Sequence, residues 1–317
     1  MIDRIKMVKR KMDESLEQLC EVSWMFSRHP EKDFTRKRKL SFSKLVSFVL
    51  AMEGGTLTTE LLKHFGCSLD TASASAFVQQ RSKLVPETFP ALFDLFVRKT
   101  QPLKLYKGFR LFAADGSDIQ IPNNPEHTSS HYPEANGQAS YNILHLDAVY
   151  DLLQCTYQDA CLSGDREANE RASLCRMVDR SAVEKALIIM DRGYEGYNLL
   201  AHIQEKGWKF LLRVKDVGQV KGITAGLSLP AADEFDVPIH LSLTTRQTNQ
   251  VKELCKRNNE FRFIPSNNSF DFLPRINRKY DPVQFYPLSF RVVRFQIMQD
   301  IYETVVTNLD PRLFPPK

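Results

Sequence analysis

The stretch from Ala186 to Val214 constrains the fold of this chain more than any other. A short apolar run, Ala186 to Met190, ends in Asp191-Arg192-Gly193-Tyr194. An apolar-periodic segment follows, with Tyr197, Leu199, Leu200 and Ile203, and Lys206-Gly207 stops it before a second apolar run, Trp208 to Val214. Short apolar runs bounded by turn residues are buried strands, and a spacing of three and four is a helix, so the stretch predicts strand, tight turn, helix, strand. Asp191 then stands at the carboxyl end of a buried strand, where open α/β sheets present ligand-binding and catalytic groups. Two readings of it stay open, a turn-capping aspartate and a catalytic one.

A second aspartate occupies a comparable place. Phe109 to Ala114 predicts a strand that terminates in Asp115-Gly116-Ser117-Asp118. Asp115 and Asp191 can converge if their strands are neighbours at one edge. Carboxylates held that close repel unless a proton or a cation lies between them. Mg²⁺ or Mn²⁺ accepts such oxygen ligands while keeping room for waters and substrate phosphates, the arrangement used in metal-assisted phosphoryl transfer. Arg192, Arg213 and Lys215 are candidates for neutralising the phosphates, and each is equally readable as a solvated surface charge. Other chemistries have less support. An acid–base hydrolase needs a substrate pocket that the sequence does not reveal. Ser117 has no histidine partner at motif spacing. His127 and His131 are four residues apart without an HExxH pattern, and there is no P-loop.

Charge separates the chain into two parts. Residues 1 to 110 carry 20 Lys/Arg and 12 Asp/Glu, a net of +8 out of +5 for the whole chain, which leaves −3 for the rest. A basic amino-terminal part beside a slightly acidic remainder points to a polyanion-binding module. Its densest patch is Arg36-Lys37-Arg38-Lys39, just before Ser41 and Ser43, either of which can cap a helix through Lys44 to Met52. At a helix entry, backbone amides add to the attraction for DNA phosphates; the competing reading is a solvated linker. Several short predicted helices with Gly-containing turns fill the first 100 residues, fitting either a helix-turn-helix-like module or a plain bundle. The six cysteines form no CxxC pair, no apolar run approaches 18 residues, and the start lacks a signal peptide's apolar core; the expectation is a reduced, cytoplasmic protein with no membrane contact.

Beyond the first 100 residues the predicted order is three strands, helix, strand, helix, strand, a mixed α/β layer. Ile143 to Tyr150 and Leu152 to Ala160 predict a hairpin joined at Asp151, and polar residues 123 to 140 predict a loop. Residues 217–288 contain short alternating pieces that predict a β-rich insertion. Strand patterns return at Phe290 to Ile297 and Tyr302 to Thr307 before a proline-punctuated end.

Five segments in this order carry a family likeness: Ala113-Ala114-Asp115-Gly116-Ser117, Tyr150-Asp151-Leu152-Leu153, Met190-Asp191-Arg192-Gly193-Tyr194, Phe210 to Lys215, and Tyr302 to Leu309. Together they resemble a bacterial insertion-sequence transposase of the IS4 family with a DDE catalytic domain, and Asp33 to Leu40 shares the likeness. The resemblance implies a ribonuclease-H-like mixed sheet whose first part is 105–216, behind the helical DNA-binding domain that charge and helix signals place over 1–100. It further implies a β-rich insertion over 217–288 and a continuation over 289–317 toward a catalytic helix. It also implies dimeric assembly on double-stranded DNA at insertion-sequence ends, and cleavage and strand transfer by two aspartates and a glutamate holding Mg²⁺ or Mn²⁺. The aspartates carry over onto Asp115 and Asp191. The glutamate belongs to a helix after Leu309 that this sequence does not reach; Glu303 lies in the preceding strand and Glu195 in the turn after Asp191. The expectation is therefore a carboxyl-terminally truncated transposase with reduced strand transfer, its alternative a non-catalytic DNA-binding remnant or regulator of an intact transposase.

Overall fold

The computed structural model describes residues 2–100, 104–217, 222–265, 268–274 and 282–315. The chain divides into two compact units, Met1–Gln101 and Pro102–Lys317.

The first unit is helical: α1 (Ile2–Glu21), a 3₁₀ turn (Ser23–Phe26), α2 (Phe42–Ala51), α3 (Leu57–His64), α4 (Ala74–Arg81) and α5 (Thr88–Lys99). Three of the helices start on a hydroxyl residue. Ser41, Thr56 and Ser73 accept from the backbone N–H of Lys44, Thr59 and Ala76, satisfying amides that a helix start leaves open. Ser41, rather than Ser43, is thus the cap that follows the basic patch. The fourth helix begins at Ala74 under the Ser73 cap, and ahead of it the Thr71 hydroxyl turns back to donate to the Ser68 carbonyl. Leu19, Leu45, Val46, Phe48, Leu61 and Phe77 form the shared core of this unit.

The second unit is built on one ten-stranded sheet. In chain order its elements are β1 (Arg110–Ile121), β2 (His131–Tyr132), β3 (Tyr141–Asp151), β4 (Thr156–Gly164), α6 (Glu170–Arg180), β5 (Ala186–Met190), α7 (Tyr197–Glu205), β6 (Lys209–Val214), β7 (Phe235–Thr244), α8 (Asn249–Arg257), β8 (Phe261–Phe263), β9 (Tyr286–Met298) and β10 (Ile301–Thr307). The strands β4, β3 and β1 pair antiparallel, and β5 and β6 then run parallel to β1. This order, with helices crossing between the parallel strands, is a ribonuclease-H-like core. From β6 the sheet continues through β10, β9, β7 and β8. The strands of the 217–288 segment therefore extend the same sheet, because β7 pairs with β9 along nine registered positions from Phe235 to Leu243.

The core lies where α6 and α7 cover one sheet face: Leu174, Val178, Leu200 and Ile203 pack with Phe112, Ile188 and Phe210. Gly207, at φ 74°, ends α7 in the left-handed conformation that favours glycine, as the Lys206-Gly207 stop predicted. Two strands differ from the sequence reading: the short β2 pairs with β3 inside residues 123 to 140, which read as a loop, and β1 is longer than expected. Rather than stopping at Asp115, β1 continues to Ile121, because β3 supplies a ladder partner for every residue from Phe112 to Ile121. Only its pairing with β5 stops early, at Ala113 opposite Ile189.

Candidate active site

The register of β1 and β5 places Asp115 and Asp191 on the carboxyl side of the paired stretch of neighbouring parallel strands. These parallel strands pair Phe112 with Ile188 and Ala113 with Ile189, so Asp115 and Asp191 each lie two residues beyond the last registered pair. Successive side chains alternate between faces. Phe112 and Ala114 point into the core, whereas Asp115 is exposed, as is Asp191. One oxygen of each carboxylate is anchored locally. Asp115 Oδ1 accepts from the Gly116 amide at 3.0 Å, and Asp191 Oδ1 accepts from the Gly193 amide at 2.8 Å, capping the 3₁₀ turn Arg192–Tyr194. Asp191 is thus a turn cap through one oxygen, and its side chain stays open to solvent.

A third carboxylate adjoins this pair. Asn169 caps α6 by accepting from the Ala172 amide at 3.1 Å, which starts the helix at Glu170. A Cβ added to Gly193 would lie 3.1 Å from both Asp191 Oδ1 and Glu170 Oε2, and one on Gly116 would lie 2.9 Å from Glu170 Oε1. The two glycines therefore leave the space in which the acidic groups gather. Burial raises the Glu170 pKa; His145 opposes that shift, while Asp147, Asp191 and Asp115 reinforce it. The Tyr194 phenol is likewise pushed up, first by burial and then by Glu170, Asp147, Asp115 and Asp191. These shifts mark a region of concentrated negative charge. A hard divalent cation fits its donor set, since exposed carboxylates on adjacent strand ends offer oxygens without requiring a buried cage.

Beside the pair, β3 contributes His145 and Asp147, which share a strand face. His145 Nδ1 lies 2.7 Å from Asp118 Oδ1, while its Nε2 lies 3.2 Å from Asp147 Oδ1 and 3.6 Å from Glu170 Oε1. Burial disfavours the imidazolium, but Asp118, Asp147 and Glu170 outweigh it and raise the His145 pKa. Two groups here bring ligand atoms within 4.8 Å of one another and are able to hold a divalent metal: Asp118, His145 and Asp165, and His145, Asp147 and Glu170. The sequence reading did not single out His145, Asp147 or Glu170. The available signal was modest: a polar pair, His145 and Asp147, on one face of an otherwise apolar strand, and a glutamate directly after a helix-capping asparagine.

The basic candidates have different surroundings. Arg213 and Arg192 converge on Glu303 of β10, with Arg213 Nε and Nη2 at 2.7 Å from its oxygens and Arg192 Nη2 at 3.1 Å. The Arg213 hydrogen bonds, helped by Arg192, hold the Glu303 carboxyl below the usual range. Glu195 is also engaged, accepting from the Lys215 amide at 3.0 Å and the Ile223 amide at 2.8 Å. The Lys215 side chain is exposed. In the helical unit Arg36, Lys37, Arg38 and Lys39 are exposed; Arg36 and Arg38 line a cavity of about 420 Å³ with Lys32, Asp33 and Lys83. Lys39 Nζ donates to the Leu69 carbonyl at 2.9 Å.

Fold and acidic strand ends together define a DDE-type catalytic domain on a ribonuclease-H-like sheet. The chain belongs to the family described as Transposase DDE domain, which matches residues 106–317. A comparison with curated proteins gave no match. Among solved structures, the chain is similar to a piggyBac transposase in a synaptic complex with hairpin DNA, at 10% identity and a TM-score of 0.39. The similarity covers 87% of this chain and 55% of that one, so this chain spans little more than half the length of that transposase. Among the described residues no helix is long and apolar enough to cross a membrane.

Proposed function

We propose that this chain binds double-stranded DNA at insertion-sequence ends and acts in metal-dependent DNA cleavage and strand transfer, in the manner of an IS4-like transposase. The observation that supports the reading is the register of β1 and β5, two interior strands of a DDE-family sheet that place Asp115 and Asp191 just past their paired stretch. In this reading residues 1–100 form the DNA-binding domain, 105–216 the first part of the catalytic domain, 217–288 the insertion and 289–317 its continuation. Arg36, Lys37, Arg38 and Lys39 contact the DNA backbone from the helical domain, and Arg192, Arg213 and Lys215 do so near the carboxylates. Asp115 and Asp191 hold Mg²⁺ or Mn²⁺, which when bound supplies Lewis-acid activation of the attacking oxygen and charge stabilisation at the scissile phosphate. Asp191 is kept in its orientation by the Gly193 amide, and Asp115 by the Gly116 amide, so neither carboxylate must reorganise as charge develops.

Cleavage of end-bearing DNA in the presence of Mg²⁺, followed for the full chain and for Asp115→Asn and Asp191→Asn, tests this. Each substitution is expected to lower the rate by at least about 10²-fold, the loss of one electrostatic contributor, while leaving end binding intact. Cleavage unaffected by both substitutions would reject the assignment.

A second reading, a non-catalytic DNA-binding regulator of an intact transposase, draws on the position of the two glutamates nearest the sequence pattern. Glu303 is tied to Arg213 and Arg192, and Glu195 to backbone amides, so neither is free to serve as the family's third carboxylate. End-specific binding without any nicking by the same preparation would favour this reading.

A further inference from the structure

We propose that His145, Asp147 and Glu170 form a binding site for a divalent ion of the Mn²⁺ or Zn²⁺ class, distinct from the Asp115–Asp191 pair. Asp147 is the strongest indication. Its side chain is completely buried in the middle of β3, yet among the described residues only Oδ1 meets a partner, His145 Nε2 at 3.2 Å, and Oδ2 has no hydrogen bond. A buried carboxylate left half satisfied is costly unless a cation compensates it. A proton on His145 Nε2 satisfies one oxygen but leaves Asp147 Oδ2 uncompensated and Glu170 Oε1 too distant for a hydrogen bond, at 3.6 Å. A divalent ion in place of that proton binds all three groups.

The spacing suits such an ion. Ligand atoms bound at about 2.1 Å stand about 3.0 Å apart at right angles and about 3.4 Å apart at tetrahedral angles. The 3.2 and 3.6 Å separations from Nε2 already approach those edges. Room for the ion comes from Gly116, which lies opposite Asp147 in the β1–β3 register. The point that an added Cβ would occupy lies 2.8 Å from His145 Nε2 and 2.9 Å from Glu170 Oε1. Asp118 completes the arrangement from outside. With its Oδ1 2.7 Å from Nδ1, it takes the other ring proton, fixes the tautomer and turns the Nε2 lone pair toward the site, the usual role of a carboxylate behind a metal-binding histidine. One imidazole nitrogen with two carboxylates favours Mn²⁺ or Zn²⁺ over Mg²⁺ or Ca²⁺, which select oxygen ligands alone.

Mn²⁺ binding to the full-length chain, followed by electron paramagnetic resonance, tests the site without DNA. In an Asp115→Asn/Asp191→Asn variant, one Mn²⁺ should remain bound and its pulsed spectrum should show coupling to an imidazole nitrogen. His145→Ala in that background should abolish the coupling and weaken binding at least tenfold. Gly116→Ala retains every ligand but fills the space between them, and should produce the same loss while circular dichroism shows an intact fold. Absence of nitrogen coupling in the folded Asp115→Asn/Asp191→Asn variant would overturn the proposal, as would coupling that survives in folded His145→Ala or Gly116→Ala protein. Because no cleavage is read, failure here is separable from failure of the DNA-processing assignment.

Discussion

Two carboxylates of similar sequence character, Asp191 and Glu303, end up with opposite electrostatics. Asp191 stays solvent-exposed beside further acids, whereas Glu303, with its side chain 13% exposed, is clamped between Arg213 and Arg192. The Arg213 hydrogen bonds depress the folded-state pKa of Glu303, and Arg294 with Thr304 does the same for Asp216. A lowered folded pKa stabilises the protein fully above the unfolded carboxylate pKa, near 4, and that stabilisation disappears as the pH falls through the folded value. Thermal melts from pH 7 to pH 3 should therefore show Glu303→Gln and Asp216→Asn melting below the parent at neutral pH, with the differences narrowing below about pH 4. A gap that widens toward acid would contradict this sign. The same clamp explains why Arg192 and Arg213 were readable in the sequence only as cations: their partner lies 111 and 90 residues later, on a strand that tertiary pairing brings alongside.

At the scale of elements, single polar side chains set where strands and helices begin and end. Asn308 follows β10 and replaces the next ladder step. Its Oδ1 accepts from the buried Phe210 amide at 2.9 Å, and its Nδ2 donates to the Trp208 carbonyl at 3.0 Å. Asn308→Ala leaves two backbone groups of the β6 edge unsatisfied and should cost about 1–3 kcal/mol in urea denaturation. Asn169→Ala removes the α6 cap and should cost about 1 kcal/mol by the same measurement. Because Glu170 is the first residue of that helix, the cap also positions a carboxylate at the acidic cluster. Most elements were legible from periodicity and capping chemistry: β5, α7 and β6 follow the strand, helix, strand pattern of 186–214, and the hairpin of β3 and β4 falls within a few residues of its expected place. The extent of β1 was not legible, because Asp115-Gly116-Ser117-Asp118 is a turn sequence by local propensity. Ladder partners on β3 override that preference.

For the whole molecule, net positive charge concentrated in the first 110 residues is the property that bears on a polyanionic partner. Binding to double-stranded DNA should weaken with salt. Replacing Arg36, Lys37, Arg38 and Lys39 together by Gln should flatten the slope of log K against log salt by about 3, the share of three or four phosphate contacts at about 0.9 each. An unchanged slope would remove this patch from the interface. The sheet is also a property of the whole second unit. The sequence reading treated residues 217–288 as an insertion with strands of its own, and the structure adds β7 and β8 to the edge of the sheet that carries the acidic cluster. Strand pairing across such sequence separations depends on which edge is available to the incoming strand, and local sequence does not record that.

The sequence by itself determined the class of the chain. A mixed α/β sheet, a helical amino-terminal part and aspartates at the ends of two apolar runs all follow from the periods of 2 and 3.6 and from turn chemistry, which act over a few residues. Only the tertiary structure decided which charged groups meet. The placement of Asp115 and Asp191 on neighbouring strands, the approach of Glu170 through the space left by Gly116 and Gly193, the burial of Asp147 beside His145, and the capture of Glu303 by two arginines all depend on strand register and helix packing. Electrostatic interactions are set by distance and burial in three dimensions, and neither is encoded by the spacing of residues along the chain.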